Sequence, residues 1–454
     1  MISRSTTRTL ALGVAISLQI PAVLGCGGRR VPDLARVFSS AREQTGKRPI
    51  ILVPGILNME LVNSETGETV WPSAFRSHDD LDLPITSDPL TSGDSLVATK
   101  AIESTRFLPL TPKVKILQDL LVALRTHAGY KEGNWDNPAP DGDRDTYYTF
   151  VYDWRRDNVQ MAQQLIQRMA SLKRKLNKPD LRFNVVAVSM GGLIARYAAM
   201  YGDADLPRDN YPSPLTWAGA QHIDKIFMFG VPNEGSMEAF ATILRGYSIT
   251  EGDNQPRKLF HKLSREDAFT ALAVFQLMPH QQTARFLDQD LKLLKIDMYD
   301  PATWKLYDWS VAHDPEFRKR FAHKNANQIA ANHTAAYPLD FHLAAILART
   351  RLFHQALDIP LTEPSPVALL AFAGDCDETL SAPVIFFDKK KNRWITVTSP
   401  KELRDSNGQK IRREDVKQAE RRRLPLCPGA AGSQRHFYDS NLHAHHRSPP
   451  AFFL

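Results

Sequence analysis

An apolar run, Phe183-Asn184-Val185-Val186-Ala187-Val188, ends at Ser189, and Met190-Gly191-Gly192-Leu193-Ile194-Ala195-Arg196-Tyr197 opens a helical pattern directly behind it. Strand, sharp turn and helix with a serine at the turn make a nucleophile elbow, G-x-S-x-G in its usual form. The turn crowds the residues two before and two after the serine, so both must be small; Ala187, in place of the usual first glycine, and Gly191 meet that need. A serine held there projects its hydroxyl above the sheet, ready to attack an acyl carbon. The helix N-terminus beneath it presents N–H groups to a developing oxyanion. Met190 is expected to supply one such N–H. The second is expected from Val53-Pro54-Gly55-Ile56-Leu57-Asn58, where Gly55 lets the backbone pass close to a ligand and Ile56 is the donor.

Those groups need a sheet to hold them. Short β-branched or apolar runs recur at Arg48 to Gly55, Tyr147 to Tyr152, Phe183 to Val188, Ile226 to Phe229 and Val367 to Ala373, apolar on both faces as in a helix-covered parallel sheet. Helical patterns lie between them at Lys115 to Thr126, Val159 to Leu176 and Gly191 to Tyr201. The alternation predicts an α/β fold, a mostly parallel sheet flanked by helices. Two stretches are too long for simple crossovers. Residues 58–110 read as a lid-like insertion and 236–359 as a helical cap, with Phe240, Ile243, Leu272, Phe275, Leu343 and Ile346 among its apolar positions. The core is then expected over 48–235 and 360–429, the latter with a hairpin turning at Lys389 to Asn392, and 430–454 is an atypical tail.

With Tyr152-Asp153-Trp154-Arg155-Arg156 and Gly230-Val231-Pro232-Asn233-Glu234-Gly235-Ser236 added, the chain resembles the lecithin:cholesterol acyltransferase family. That family carries an L-V-P-G loop, a Y-D-W-R segment, a [AG]-x-S-M-G-G elbow and a G-x-P-x-x-G-S loop in this order, and all four occur in order across residues 50–236. Val367 to Phe387 is similar to the family's late strand and hairpin. The resemblance implies an α/β-hydrolase fold acting on ester-linked acyl chains of lipids, by hydrolysis or by transfer to an alcohol, without a cofactor. From the residues alone, Asp153 and Arg155 read first as an ion pair internal to the fold.

The remaining triad members are harder to place. In this fold the order is Ser, then Asp or Glu, then His. Asp377 follows Gly374 at a strand end and is the expected acid, although the family's acid lies in a later G-D-G-x-V segment; after Leu426-Cys427-Pro428-Gly429 this chain has Ala430-Ala431-Gly432-Ser433 instead. Beyond Val367 the histidines are His436, His443, His445 and His446, with His443 the expected base. Either Asp377 and a tail histidine complete the triad, or the C-terminus has been replaced, for example by a reading-frame change, and the chain is a catalytically impaired lipid-binding lipoprotein.

The start of the chain reads as an address. Arg4 and Arg8 precede an uncharged run from Leu10 to Leu24, and Val23-Leu24-Gly25-Cys26 resembles a bacterial lipobox. Residues 1–25 are expected to be a signal peptide, Cys26 a lipid anchor to the membrane surface, and 26–47 a tether, giving an exported, membrane-anchored protein. An ordinary signal peptide with Cys26 near its cut is the alternative. At 43% hydrophobic and 24% charged residues, the 454-residue chain is neither a disordered nor a multi-span membrane protein. Its three cysteines lack the paired spacing of a metal or redox site, so no metal is expected. The formal net charge of +7 is local: Lys389 to Arg423 holds 13 Lys/Arg against 5 Asp/Glu, a net +8, and the rest of the chain is nearly neutral. That single run with one aromatic, Trp394, argues against nucleic acid and for a solvated hairpin that can touch anionic lipid.

Overall fold

A computed structural model describes residues 36, 39–73, 81–86, 88–91, 93–105, 114–207, 214–248, 262–324, 339–374, 379–398 and 438–439. The expected signal peptide, Cys26, Asp377, His443, the basic run beyond Thr398 and most of the tail lie outside these residues.

Among the described residues the five apolar runs assemble into a seven-stranded sheet, with a two-residue strand added at each edge. Its strands are β1 (Ile50–Val53), β2 (Lys131–Glu132), β3 (Thr146–Thr149), β4 (Phe183–Val188), β5 (Ile223–Phe229), β6 (Ala368–Phe372) and β7 (Tyr438–Asp439). They lie in the order β7-β6-β5-β4-β1-β3-β2, parallel throughout except for β7, which runs antiparallel to β6. The chain leaves β1 toward β3 on one side and continues through β4 on the other. The C-terminal ends of β1 and β4 therefore flank a change in winding direction, where open α/β sheets hold their ligands.

Alternation along β1 explains the two covered faces. Ile51 and Val53 point into the larger core with Val185 and Ala187, against α2 (Asn158–Lys175), α3 (Gly191–Tyr201) and α5 (Leu339–Leu357). Ile50 and Leu52 point to the opposite face with Tyr147 and Val186, under α1 (Gln118–Val122) and the wider turn 123–127, which contribute Leu121 and Leu124. The side chain of Asp157 caps α2 by accepting from the Gln160 N–H, and Lys173, Arg174 and Lys175 fall in its last turn, where the helix dipole favours cations.

Within 58–110 the described residues form a three-stranded antiparallel sheet of Met59–Asn63, Thr69–Trp71 and Leu96–Ala101. Met59, Leu61 and Trp71 are fully buried in the main core, and Trp71 meets Trp154 edge-on at 5.8 Å. The long insertion is helix-rich as expected, with α4 (Met237–Arg245) and α5, and it packs Phe240 against Phe286 and Trp309. Its short strands Phe286–Leu287 and Leu293–Leu294 join the hairpin Val384–Asp388 and Arg393–Val397 in a separate four-stranded sheet. That hairpin, grouped with the core by sequence, thus hydrogen-bonds to the insertion through the Leu287 and Val384 pairing. Among the described residues no helix is long and apolar enough to cross a membrane.

Candidate active site

Ser189 stands between β4 and α3 with φ at +50°. This left-handed backbone costs a non-glycine residue on the order of 1–3 kcal/mol and persists where the surroundings enforce it. Two hydrogen bonds do so: the Ser189 N–H donates to the Phe229 carbonyl at 2.9 Å, and the Gly192 N–H donates to the Ser189 carbonyl at 2.9 Å. Gly191 is small for a reason the sequence did not reveal. A β-carbon there would stand 2.2 Å from the Val53 carbonyl oxygen and 2.6 Å from that of Pro54, so the end of β1, not Ala187, presses hardest on it.

The loop after β1 is clamped from several sides. The Asn58 side chain accepts from the Gly55 N–H at 3.0 Å, the Tyr152 hydroxyl donates to the Pro54 carbonyl at 2.6 Å, and Trp71 Nε1 donates to the Leu57 carbonyl at 2.9 Å. Burial pushes the Tyr152 phenol far up, so it stays a donor. With Gly55 and Asn58 satisfied by each other, the Ile56 N–H has no hydrogen-bond partner among the described residues, and neither has that of Met190. Buried N–H groups are rarely left unpaired. Ile56 is 8% exposed and Met190 fully buried, so both backbone donors sit where water is scarce.

Beside this loop lies an apolar slot lined by Ile56, Leu57, Ala239, Val274 and Leu277, with Glu238 and Thr242 as its polar residues. The loop of residues 230–236, after β5, closes against the elbow helix. A β-carbon on Gly192 would strike Val231, and the half-buried Arg196 donates to Asn233 Oδ1 and to the Leu357 carbonyl, each at 2.8 Å. Arg196 thereby ties α3 to this loop and to the end of α5.

Arg155 and Asp153 serve the fold. Arg155 is fully buried and donates to Asp94 Oδ2 at 2.6 Å, to Asp153 Oδ2 at 2.8 Å and to the Leu81 carbonyl at 3.1 Å. Burial alone would raise the Asp153 carboxyl, but the Arg155 charge and its hydrogen bonds hold it below its ordinary value. The network fastens the 81–94 segment to the turn between β3 and α2.

Sequence reasoning missed a second polar cluster. His354 Nε2 lies 2.9 Å from the Gln276 carbonyl and Nδ1 lies 2.6 Å from the Tyr299 hydroxyl. Nε2 must carry the proton, Nδ1 accepts, and the ring is neutral. Burial and the neighbouring His280, stacked at 4.0 Å, push its pKa well down. His280 Nδ1 is 2.8 Å from Asp358 Oδ2. A cavity of about 390 Å³ opens beside them, lined also by Asp297 and Arg351. The i,i+4 spacing of His354 and Asp358 was the available signal.

Asp377 and His443 lie outside the described residues. β6 ends at Phe372 on the same sheet edge as Ser189, and the chain is followed to Gly374 and resumes at Thr379. Among the described residues no group of His, Cys, Asp and Glu could hold a metal ion.

Residues 142–343 match the family described as lecithin:cholesterol acyltransferase. No curated protein matches the chain. A solved structure described as "The crystal structure of Tle4-Tli4 complex" is similar with a TM-score of 0.42 and 11% identity, over 80% of this chain and 86% of that chain, a likeness too distant to bear on chemistry. The matched residues take in the Y-D-W-R segment, the elbow and the loop after β5. Over residues 142–343 the chain is similar to the lecithin:cholesterol acyltransferase family, and its mostly parallel sheet with helices on both faces is an α/β-hydrolase fold.

Proposed function

We propose that this protein is a serine-dependent acyltransferase or acyl-ester hydrolase acting on lipids. One observation carries the reading: Ser189 at φ +50° between a parallel strand and a helix, with the nearby Ile56 and Met190 N–H groups unpaired among the described residues. Ser189 Oγ attacks the ester carbonyl carbon and passes its proton to a histidine. The carbonyl oxygen becomes an oxyanion that receives the two N–H groups, and collapse expels the alcohol, which takes the proton back from the imidazolium. Water or a second alcohol then attacks the acyl-enzyme by the same route in reverse. An acyl chain as the group transferred is proposed from the apolar lining of the slot at Ile56 and Leu57, whose enclosed space of about 20 Å³ must widen to admit it.

Asp377 is proposed as the orienting carboxylate, because it follows β6 at the edge that carries Ser189. The base is proposed from the tail histidines. His443 follows β7 by four residues and His436 precedes it by two. Comparison of His436→Ala with His443→Ala in turnover of a short acyl ester separates the two; loss in neither variant points to His445 or His446, and absence of turnover in the parent to the impaired, lipid-binding alternative. The lipid anchor on Cys26 and export across the inner membrane complete the proposal and rest on the segment from Arg4 to Cys26.

The test of the activity is hydrolysis of a short acyl ester by the parent and by Ser189→Ala. Loss of a nucleophile lowers kcat by orders of magnitude while deleting little packing, so stability shifts by less than about 1 kcal/mol. Undiminished turnover in the variant overturns the assignment.

A further inference from the structure

The four-stranded sheet formed by the insertion and the late hairpin has two unlike faces. Phe286 and Ile385 point into the main core, and Trp394 packs against it. The other face is set by register: Leu287 pairs with Leu293 and with Val384, Val384 pairs with Val397, and Phe386 pairs with Ile395. All of these but Leu293 belong to a separate apolar cluster. Among the described residues, those packed on Val384 and Val397 are Leu287, Leu291, Phe386 and Ile395, all only partly buried. Leu293, at the edge of the same face, is 64% exposed. Exposed apolar surface rimmed by polar residues marks an interaction site.

The charges around this face choose the partner. Past Phe386 and Ile395 the hairpin ends in Asp388 and Arg393, joined by Lys389, Lys390, Lys391 and Asn392, all of the last four exposed. Lys292 and Lys295 are exposed on the neighbouring strand pair. Among the described residues of these two hairpins, three carboxylates stand against these six cations: Asp288, Asp290 and Asp388. Two are engaged locally: Asp288 accepts from the Asp290 and Lys292 N–H groups, and Asp388 accepts from those of Lys390 and Lys391 and sits 4.0 Å from the Lys391 ammonium.

We propose that this face is a docking surface for an anionic lipid bilayer, with Leu291, Leu293, Phe386 and Ile395 meeting the acyl boundary and Lys389, Lys390, Lys391 and Arg393 meeting the head groups. Half-exposed apolar side chains bordered by cations suit the bilayer interface, and each Lys or Arg near an anionic surface contributes about 1 kcal/mol at moderate salt. The inference concerns where the protein sits and does not rest on the acyl-transfer chemistry.

The test is sedimentation of the full chain with vesicles of phosphatidylcholine alone and of phosphatidylcholine mixed with phosphatidylglycerol. It uses a Cys26→Ser background so that an acyl anchor contributes to no sample. The parent binds the phosphatidylglycerol vesicles more tightly than the neutral ones. Joint replacement Lys389→Gln, Lys390→Gln, Lys391→Gln and Arg393→Gln weakens that binding at least about tenfold, after allowing for salt screening. Leu293→Ser weakens binding to both vesicles severalfold. These side chains are exposed, so the variants keep the parent's melting temperature and ester turnover, which separates failure here from failure of the catalytic proposal. Equal binding of parent and quadruple variant overturns the proposal, as does a parent that ignores phosphatidylglycerol or prefers a DNA duplex to it.

Discussion

A β-carbon built on Gly55 would stand 2.8 Å from the β-carbon of Ser189 and 3.2 Å from both the Asn58 side-chain oxygen and the Val188 carbonyl. The two residues belong to different strand ends, β1 and β4, yet they are in contact. That contact fixes how far the Ile56 N–H lies from the elbow. Gly55→Ala must push the loop outward, and an oxyanion-hole donor displaced from its acceptor costs about a hundredfold or more in kcat. Ester turnover should fall by that factor, with the far-ultraviolet spectrum and melting curve close to the parent's. Full activity in the variant would show that the loop does not serve the reaction.

The Asp94, Asp153 and Arg155 network predicts a stability effect of a different kind. Removing one partner of a buried ion pair leaves an uncompensated charge and costs about 3–5 kcal/mol. Arg155→Met should show this in urea unfolding, because it leaves Asp94 and Asp153 only the half-buried Arg156, at 3.5 Å and 3.1 Å, as a cationic partner. If the loss is below about 1 kcal/mol, the typical value for an exposed pair, the network is more solvated than its burial indicates.

His342 on α5 predicts a pH dependence. Its ring is 2% exposed, lies 5.3 Å from that of Phe269, and has no hydrogen-bond partner for either nitrogen among the described residues. Burial lowers its pKa to about 4. In the unfolded chain the group titrates near 6.5. The unfolded state therefore takes up a proton that the folded state refuses. The stability this neutral ring allows is complete above about 6.5 and is lost as pH falls toward the folded value, by about 3 kcal/mol in total. His222, also lowered to about 4, adds to the same trend. Urea unfolding across that range should therefore fall less steeply for His342→Leu than for the parent, and identical slopes would contradict the assignment.

How much of this could be read from sequence depends on the range of the interaction. The helix from Gly191 to Tyr201 has the same bounds by pattern and by structure, because the elbow turn and Gly202 delimit it locally. β3 stops at Thr149 where the pattern continues to Tyr152, since pairing ends where its partner β1 turns at Pro54. The partner of Arg155 across the insertion, Asp94, is 61 residues away and carries no motif. The two-residue strands Phe286–Leu287 and Leu293–Leu294 are too short to show alternation, so the sheet that binds the insertion to the late hairpin was invisible. The turn at Ser189 was legible because a sharp strand-to-helix turn restricts residue types strongly, and Gly191 meets that restriction; the proposed acid and base leave no such local imprint.

For the address at the N-terminus, Cys26→Ser should release the protein from the membrane fraction or leave it unprocessed, read by fractionation and the mass of the N-terminal peptide. Wild-type protein found soluble with an unmodified N-terminus would refute lipidation while leaving secretion standing.

Labelling with a fluorophosphonate tests the central claim most directly, because the reagent reacts only with a serine that has been made nucleophilic and whose oxyanion is stabilised. The account predicts one label per chain in the full-length protein, mapped by peptide mass to Ser189 and absent from Ser189→Ala. A folded parent that takes up no label, or a label that maps to another residue, would contradict it.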